Sequence, residues 1–332
     1  MSSPEVFAEI WRGSILECVH LGHAVVCDAS GAIVEAWGNP DQIILPRSSC
    51  KMVQALPLIE SGAAKAAGVT PEELALACAS HDGATIHTDR VARWLDRIGL
   101  SESDLRCGAH PPTGVPARDR LIRAGDSPCQ LHNNCSGKHA GFLSYAKHVG
   151  AGPEYVDLDH PLQKAVRESF EDLTGMESPG HGIDGCSAPN FATSVHGLAR
   201  AMAFFAAAPE DGTTREAAAH QLVRAMIAHP DLVAGEDRAC TELMRAMDGK
   251  AAIKTGADGV YIGILPEQKL GLALKIVDGA TRASECAIAA LLVRLGVLAA
   301  DHPATRKRMN HRVTNWRGLE TGSILPGKVL LT

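Results

Sequence analysis

Apolar runs separated by polar turns near both ends of the chain predict β-hairpins. One covers residues 23–37 and a second covers residues 259–277, each with apolar stretches on either side of a short polar turn. A further strand is predicted near residues 313–320. Because strands occur toward both ends and helical periodicity fills the middle, the pattern favours an α+β fold with one antiparallel sheet and a helical insert.

Between the hairpins, apolar positions recur at helical spacing. Helices are predicted over residues 47–60 with a kink or break at Pro57, from Pro71 after a capping Thr70 and Glu73, and over residues 87–99, 162–174, 194–207, 213–228, 236–247 and 281–299. Residues 106–140 and 180–190 lack this periodicity and are predicted to be functional loops. We expect a single domain of residues 1–332, with a sheet subdomain of residues 1–65 plus 250–332 and a mainly helical subdomain of residues 66–249.

Composition excludes several classes of function. The formal net charge is −6 and no basic stretch is present, so nucleic acid is not an expected partner. No run approaches the roughly 18 apolar residues that a membrane span needs. The N-terminus lacks a basic stretch followed by an apolar one, so we expect a cytoplasmic protein.

Two short motifs far apart in the sequence point to a serine nucleophile. Ser48 precedes Lys51 by three residues, a spacing that places both side chains on one face of a helix. A neutral lysine can take the serine proton and activate the hydroxyl. Lys254-Thr255-Gly256 precedes an apolar strand, and S-x-x-K with K-T-G belongs to the signature of penicillin-recognising serine enzymes. Lys254 could lower the pKa of Lys51 or serve a second serine.

A third polar string, Ser80-His81-Asp82, directly follows the apolar run of residues 74–79. Ser80 is therefore a candidate second active-site hydroxyl. A rival interpretation makes His81 the base of a catalytic triad. A third interpretation is that this string is an ordinary turn at the end of a helix, with no catalytic role.

The ten cysteines contain no C-x-x-C pair, and most are expected to be free buried thiols. Cys135 and Cys186 differ because they lie in polar, glycine-rich stretches, with Lys138, His139 and Asp184 close in sequence. These residues could form a split site for a thiophilic metal, with zinc as the expected ion. Either Lys138 or His139 could be the ligand beside Cys135, and two unrelated loop thiols remain the alternative.

Taken together, five motifs resemble one family. Residues 46–51, 79–82, 134–139, 184–189 and 254–256 are similar to the rhizobial-type L-asparaginases, the asparaginase II family. The resemblance implies a fold similar to serine β-lactamases and class A glutaminases. It also implies hydrolysis of L-asparagine, a small amino acid substrate, to L-aspartate and ammonia.

The resemblance further assigns roles to individual residues. It implies a nucleophile pair Ser48 and Lys51, a second pair Ser80 and Lys254, a zinc ion held by Cys135, Lys138, Cys186 and water, and substrate contacts from Arg47, His139 and Asp184. A homodimer is implied as well. A glutaminase or β-lactam-acting enzyme on the same scaffold, and a non-catalytic zinc-binding protein, are the alternatives.

Overall fold

The computed structural model describes residues 3–331. Its strands are β1 (Glu5–Arg12), β2 (Ile15–Cys27), β3 (Ile33–Trp37), β4 (Ile43–Ile44), β5 (His181–Ile183), β6 (Pro189–Phe191), β7 (Thr193–Ser194), β8 (Ala252–Thr255), β9 (Val260–Leu265), β10 (Leu270–Ile276), β11 (His311–Thr314) and β12 (Glu320–Pro326). Its α-helices are α1 (Lys51–Glu60), α2 (Ala63–Ala66), α3 (Pro71–Ala77), α4 (Thr85–Arg97), α5 (Val115–Ala124), α6 (Ser136–His148), α7 (Pro161–Thr174), α8 (Val195–Ala207), α9 (Thr214–Ala228), α10 (Pro230–Val233), α11 (Ala239–Ala246), α12 (Thr281–Arg294) and α13 (Pro303–Met309). Short 3₁₀ turns cover Arg47–Cys50, Glu102–Asp104, Gln130–His132 and Lys328–Leu330.

The chain divides into two compact units. A sheet unit comprises the residues up to Ser49, Thr193–Ala207 and the residues from Glu242 onward. A helical unit comprises Cys50–Ala192 and Ala208–Thr241. The first division thus falls directly after Ser49, whereas the sequence pattern placed it near residue 65, and α8 belongs to the sheet unit.

The sheet unit is built on an antiparallel sheet with the strand order β11-β12-β1-β2-β10-β9-β8, and β3 also pairs with β2. The long strand β2 pairs with β1 along its first part and with β10 along its second. Both predicted hairpins are present, as β2–β3 and β9–β10. The α+β fold with a sheet assembled from N- and C-terminal strands is therefore confirmed.

Apolar packing on the sheet fixes the position of the K-T-G strand. Every residue of β9 is buried, and α8 and α12 pack against this part of the sheet. Gly271 on β10 permits the close approach of α8, because a Cβ there would lie 2.0 Å from the backbone nitrogen of Ala203. Strand β8 is held against β9, with Lys254 opposite Ile262.

The helical unit surrounds α1, whose residues 51–58 are all buried. An α-helix that is buried on every side lies in a core rather than on a surface. Helix α3 begins as predicted, with the reciprocal capping bonds between Thr70 and Glu73 and with Pro71 in the first turn. Helix α1 continues through Pro57 to Glu60, so the chain does not break at that proline.

Other predictions need correction. Residues 106–140 are not one loop, because they contain α5 and the start of α6. None of the residues of α5 is buried, so its sequence lacks the apolar stripe that reveals a helix. The single strand predicted near residues 313–320 is instead the end of β11, a turn and the start of β12. Within residues 3–331, no helix is long and apolar enough to cross a membrane.

Candidate functional site

The segment around Ser48 is a tight, partly strained turn. Ser48 lies in the 3₁₀ turn Arg47–Cys50, which runs directly into α1. Ser49 closes the turn by donating to the carbonyl of Pro46 from its backbone nitrogen (3.2 Å) and its hydroxyl (2.7 Å). Arg47 has a positive φ of 55°, a conformation that costs energy for a side chain with a Cβ. Strain of this kind directly before a half-buried serine is common at functional sites.

Within the sheet unit, the K-T-G strand ends against this same turn. A Cβ on Gly256 would lie 2.6 Å from the carbonyl oxygen of Pro46 and 3.2 Å from the backbone nitrogen of Ser49. Only glycine allows the two backbones to approach so closely. Lys254 is fully buried, and its ammonium donates to the carbonyl of Thr255 at 2.7 Å. The two motifs that suggested a serine enzyme are therefore neighbours.

An ion pair links the same two segments through their side chains. The guanidinium of Arg47 contacts the carboxylate of Asp258, which follows the K-T-G motif by two residues. Lys275 on β10 donates to the backbone carbonyl of Asp258. Burial lowers the pKa of Lys275, and Arg47 acts in the same direction. Arg47, Asp258 and Lys275 line one side of a cavity of about 370 Å³.

In the helical unit, the side chain of Lys51 joins three motifs. Its amine is buried and donates to Ser80 Oγ at 3.1 Å and to Cys135 Sγ at 3.1 Å. It also contacts the carbonyl of Ala79. The lysine of S-x-x-K, the second candidate serine and a candidate metal ligand therefore meet at one nitrogen.

Ser80 is positioned by bonds on both sides of it. Its backbone nitrogen donates to Val233 O at 2.9 Å, and the next nitrogen, that of His81, donates to Asn134 O at 3.2 Å. His81 accepts at Nδ1 from the backbone nitrogen of Gly83 and bonds Ser136 Oγ through Nε2 at 2.9 Å. Burial lowers the pKa of His81 well below its usual value, with the nearby His87 adding to the effect. With both ring nitrogens engaged, His81 connects the Ser80 segment to α6 and is not placed as the base of a triad.

The candidate metal ligands converge at the start of α6. Cys135 precedes this helix, Lys138 lies in its first turn, and Cys186 lies in the turn between β5 and β6. The ammonium of Lys138 donates to Cys186 Sγ at 3.2 Å. Cys135, Lys138 and Cys186 are all buried, so their polar atoms face one another away from solvent.

Charge within this cluster is unevenly distributed. A hydrogen bond from Cys135 and the nearby Lys138 ammonium hold the pKa of the Cys186 thiol well below its usual value. The same hydrogen bond, together with burial, raises the pKa of Cys135. Burial acts to lower the pKa of Lys138, but the two sulfurs outweigh it and raise the pKa. Both shifts favour the charged forms, a thiolate at Cys186 and an ammonium at Lys138.

Two thiol sulfurs and one amine nitrogen are donors of the kind that a thiophilic metal ion such as zinc accepts. Of these donors, Lys138 Nζ and Cys186 Sγ lie 3.2 Å apart. Within residues 3–331, no three His, Cys, Asp or Glu side chains are arranged to hold a metal. A metal site here therefore depends on Lys138 as the third ligand, with its amine deprotonated.

His139 and Asp184 flank this cluster. His139 is fully buried, its Nδ1 bonds the hydroxyl of Tyr155 at 2.9 Å, and burial lowers its pKa. Its Nε2 lies beside Cys186 but has no hydrogen bond of normal geometry. Asp184 lies near enough to Lys138 to help raise the pKa of that lysine. Its carboxylate accepts from the backbone nitrogen of Gly185 at 2.8 Å.

Each unit therefore collects part of the residue set expected from the sequence. The helical unit brings together Lys51, Ser80, Cys135, Lys138, His139, Asp184 and Cys186, and the sheet unit places Arg47 and Ser48 beside the strand that carries Lys254. Sequence reasoning missed Tyr155 and Asp258. A carboxylate two residues after K-T-G was visible as a signal for Asp258, whereas nothing in the sequence marked Tyr155.

The chain matches a known protein family over most of its length. The L-asparaginase II family matches residues 8–326. No match is found among curated proteins.

Two solved structures are remotely similar to the chain. The native form of a protein called Mglu is 15% identical over 88% of this chain and 68% of its own, with a TM-score of 0.49. A β-lactamase from Mycobacterium bovis is 12% identical over 82% of this chain and 94% of its own, with a TM-score of 0.42. At these identities the likeness concerns the fold alone, and the family assignment rests on the match to residues 8–326. The chain belongs to the L-asparaginase II family, which supports an amidohydrolase activity.

Proposed function

We propose that this protein is an L-asparaginase that hydrolyses L-asparagine to L-aspartate and ammonia through a serine nucleophile. One observation carries the proposal beyond the family match. The buried amine of Lys51 bonds both Ser80 Oγ and Cys135 Sγ, so residues from three separate motifs share one polar centre. A buried lysine serves readily as a general base once its amine is neutral.

In the proposed reaction, neutral Lys51 accepts the hydroxyl proton of Ser48, and Ser48 Oγ forms a bond to the side-chain amide carbon. The carbon–nitrogen bond then breaks, and the leaving nitrogen takes a proton to depart as ammonia. Water attacks the resulting β-aspartyl ester, which releases L-aspartate and restores the serine hydroxyl. The strained φ of Arg47 and the close contact of Gly256 with Pro46 support a serine held in one fixed position.

The second pair, Ser80 and Lys254, is proposed to deliver the proton to the departing nitrogen. Ser80 suits this role because its hydroxyl is bonded to Lys51, so a proton accepted by that lysine can pass to Ser80. Lys254 suits the same proton-delivering role because its ammonium is fully buried on a strand of the sheet. The pairing of these two residues follows from the family resemblance.

Zinc is the proposed cofactor, held by Cys135, Lys138 and Cys186. When bound, it would supply positive charge that orients the substrate and tunes the neighbouring serine hydroxyls. The proposed substrate contacts are Arg47, His139 and Asp184. His139 supports this assignment, since its buried Nε2 has no hydrogen bond of normal geometry and can pair with a polar group of the substrate. A homodimer stays a prediction from the family resemblance.

A trapping experiment tests the proposal. Reactions of the wild-type protein with L-asparagine are quenched in acid, released ammonia is measured, and the peptide that contains Ser48 is examined by mass spectrometry. We expect ammonia release together with an aspartyl group on that peptide, and Ser48→Ala should lose both. Ser103→Ala, which changes an exposed serine, is the matched control and should behave as wild type.

Other outcomes would separate the alternatives. An acyl group on Ser80 instead of Ser48 would overturn the nucleophile assignment. Release of ammonia from L-glutamine but not from L-asparagine would make the protein a glutaminase. Bound zinc with no turnover of either amide would favour a non-catalytic zinc-binding protein.

A further inference from the structure

Tyr155 is a buried residue that the proposed reaction does not yet use. Its side chain is fully buried, and its hydroxyl lies 2.9 Å from Nδ1 of His139. The two rings meet edge to face, with centroids 5.4 Å apart. Phe142, one turn along α6 from His139, packs against both rings. The contact is therefore fixed by packing as well as by the hydrogen bond.

A second hydrogen bond to Tyr155 determines whether the proton between Tyr155 and His139 lies on the phenol oxygen or on Nδ1. The backbone nitrogen of Arg106 donates to the hydroxyl oxygen of Tyr155 at 2.6 Å. Within residues 3–331, the phenol proton has Nδ1 of His139 as its acceptor, and no other acceptor bonds it. If Nδ1 carried the proton instead, the buried phenol hydrogen would have no partner, which is costly. Tyr155 therefore donates to Nδ1, and the proton of the neutral imidazole lies on Nε2.

That tautomer leaves a buried donor facing the candidate site. Nε2 of His139 lies beside the sulfur of Cys186 and interacts with it, but the contact lacks the geometry of a normal hydrogen bond. A buried donor without a well-formed hydrogen bond is rare in folded proteins and calls for an explanation. A substrate oxygen, from a carbonyl or a carboxylate, is a partner of the right chemistry for this N–H.

We infer that Tyr155 is a positioning residue that holds His139 in the Nε2–H tautomer, so that Nε2 donates to an oxygen of the substrate. The inference rests on the proposed function for the identity of the substrate only. The hydrogen-bond direction and the tautomer belong to the free protein, and they can be measured without turnover.

The test begins with histidine-labelled protein. Nitrogen NMR of the free wild-type protein should show His139 with a protonated Nε2 and an unprotonated Nδ1, the resonance being assigned by its loss in His139→Gln. In Tyr155→Phe, which removes only the hydroxyl, this signature should shift toward a mixture of tautomers. Tyr145→Phe removes a hydroxyl from α6 that does not bond His139 and should leave the signature unchanged.

Kinetics supply the second readout. The loss of one hydrogen bond to substrate corresponds to about a tenfold change in affinity, so Tyr155→Phe should raise KM for L-asparagine about tenfold and change kcat much less. In the His139→Gln background, the amide donates regardless of any tautomer, and Tyr155→Phe should add little to KM. A purely structural role would lower stability by a similar amount in both backgrounds and would produce no such coupling.

The outcomes are distinguishable from failure of the proposed function. Protonated Nδ1 in the wild-type protein would overturn the inference, even if Tyr155→Phe fails to fold. An unchanged tautomer in a folded Tyr155→Phe would overturn it as well. A tautomer shift in a protein that turns over no amide would support the inference about Tyr155 and contradict the assignment of the substrate.

Discussion

Replacing Gly256 with alanine tests whether the K-T-G strand positions the Ser48 turn. The added Cβ would lie 2.6 Å from the carbonyl oxygen of Pro46 and 3.2 Å from the backbone nitrogen of Ser49. These two neighbours are backbone atoms, and the third, at 3.2 Å, is the Cβ of Val260, so no flexible end of a side chain can move away to make room. An ordinary carbon–oxygen contact is roughly 3.4 Å, so the K-T-G strand and the turn must separate by roughly 0.8 Å. The backbone of Gly256 itself does not require glycine, because its φ is not positive.

The expected consequences differ for stability and for catalysis. Overpacking of this kind costs about 1 to 3 kcal/mol, which a protein of this size can tolerate while remaining folded. A displacement approaching 1 Å at a nucleophile can cost up to about a hundredfold in rate. We therefore expect Gly256→Ala to melt a few degrees below wild type and to lose between about tenfold and a hundredfold in kcat for L-asparagine.

Continuous measurement of ammonia release gives kcat and KM, and thermal unfolding gives the change in stability. Gly152→Ala is the matched control, because no heavy atom lies within 4 Å of the added Cβ and the φ of Gly152 is not positive. This control should retain wild-type kcat. A Gly256→Ala variant with wild-type kcat would refute the reasoning that the K-T-G strand fixes the Ser48 turn.

Three further predictions follow from individual contacts. Cys186→Ser should reduce the zinc bound per chain to near zero after dialysis, while an unchanged zinc content would remove Cys186 from the ligand set. Thr70→Ala removes one half of the capping box of α3 and should lower the free energy of unfolding by about 1 kcal/mol, with turnover of L-asparagine unchanged. Burial lowers the pKa of His81 in the folded protein below its ordinary value of 6.5. At a pH below 6.5 the unfolded chain therefore binds more protons than the folded protein, and the free energy of unfolding should fall as the pH drops. Urea unfolding from pH 7.5 to pH 5 measures this slope, and a slope unchanged in His81→Gln would contradict it.

The sequence predicts local structure best, where residues of matching chemistry lie only a few positions apart. The capping residues Thr70 and Glu73 are three residues apart, and this spacing predicts their reciprocal bonds at the start of α3. The same spacing predicts a contact between Ser48 and Lys51, whereas the amine of Lys51 bonds Ser80 and Cys135. The two hairpins at the ends of the chain were likewise visible as apolar runs around polar turns. Their pairing in one sheet supports the predicted α+β fold.

Contacts between distant residues could not be predicted in this way. Tyr155 lies sixteen residues after His139, across the end of α6 and an irregular connection, and no periodicity relates the two. The bond from Lys51 to Cys135 spans 84 positions and depends on the packing of α1 against α6. Helix α5 was missed because it is exposed, and so its apolar residues form no stripe that faces a core.

The most direct test of the account is the rate of ammonia release from L-asparagine and from L-glutamine by wild-type protein of measured zinc content. We predict turnover of L-asparagine with little release of ammonia from L-glutamine, and near-complete loss of turnover in Ser48→Ala. Absence of turnover on L-asparagine by folded, zinc-loaded protein would contradict it. In that case the chain would share the fold and the motifs of its family without the proposed reaction.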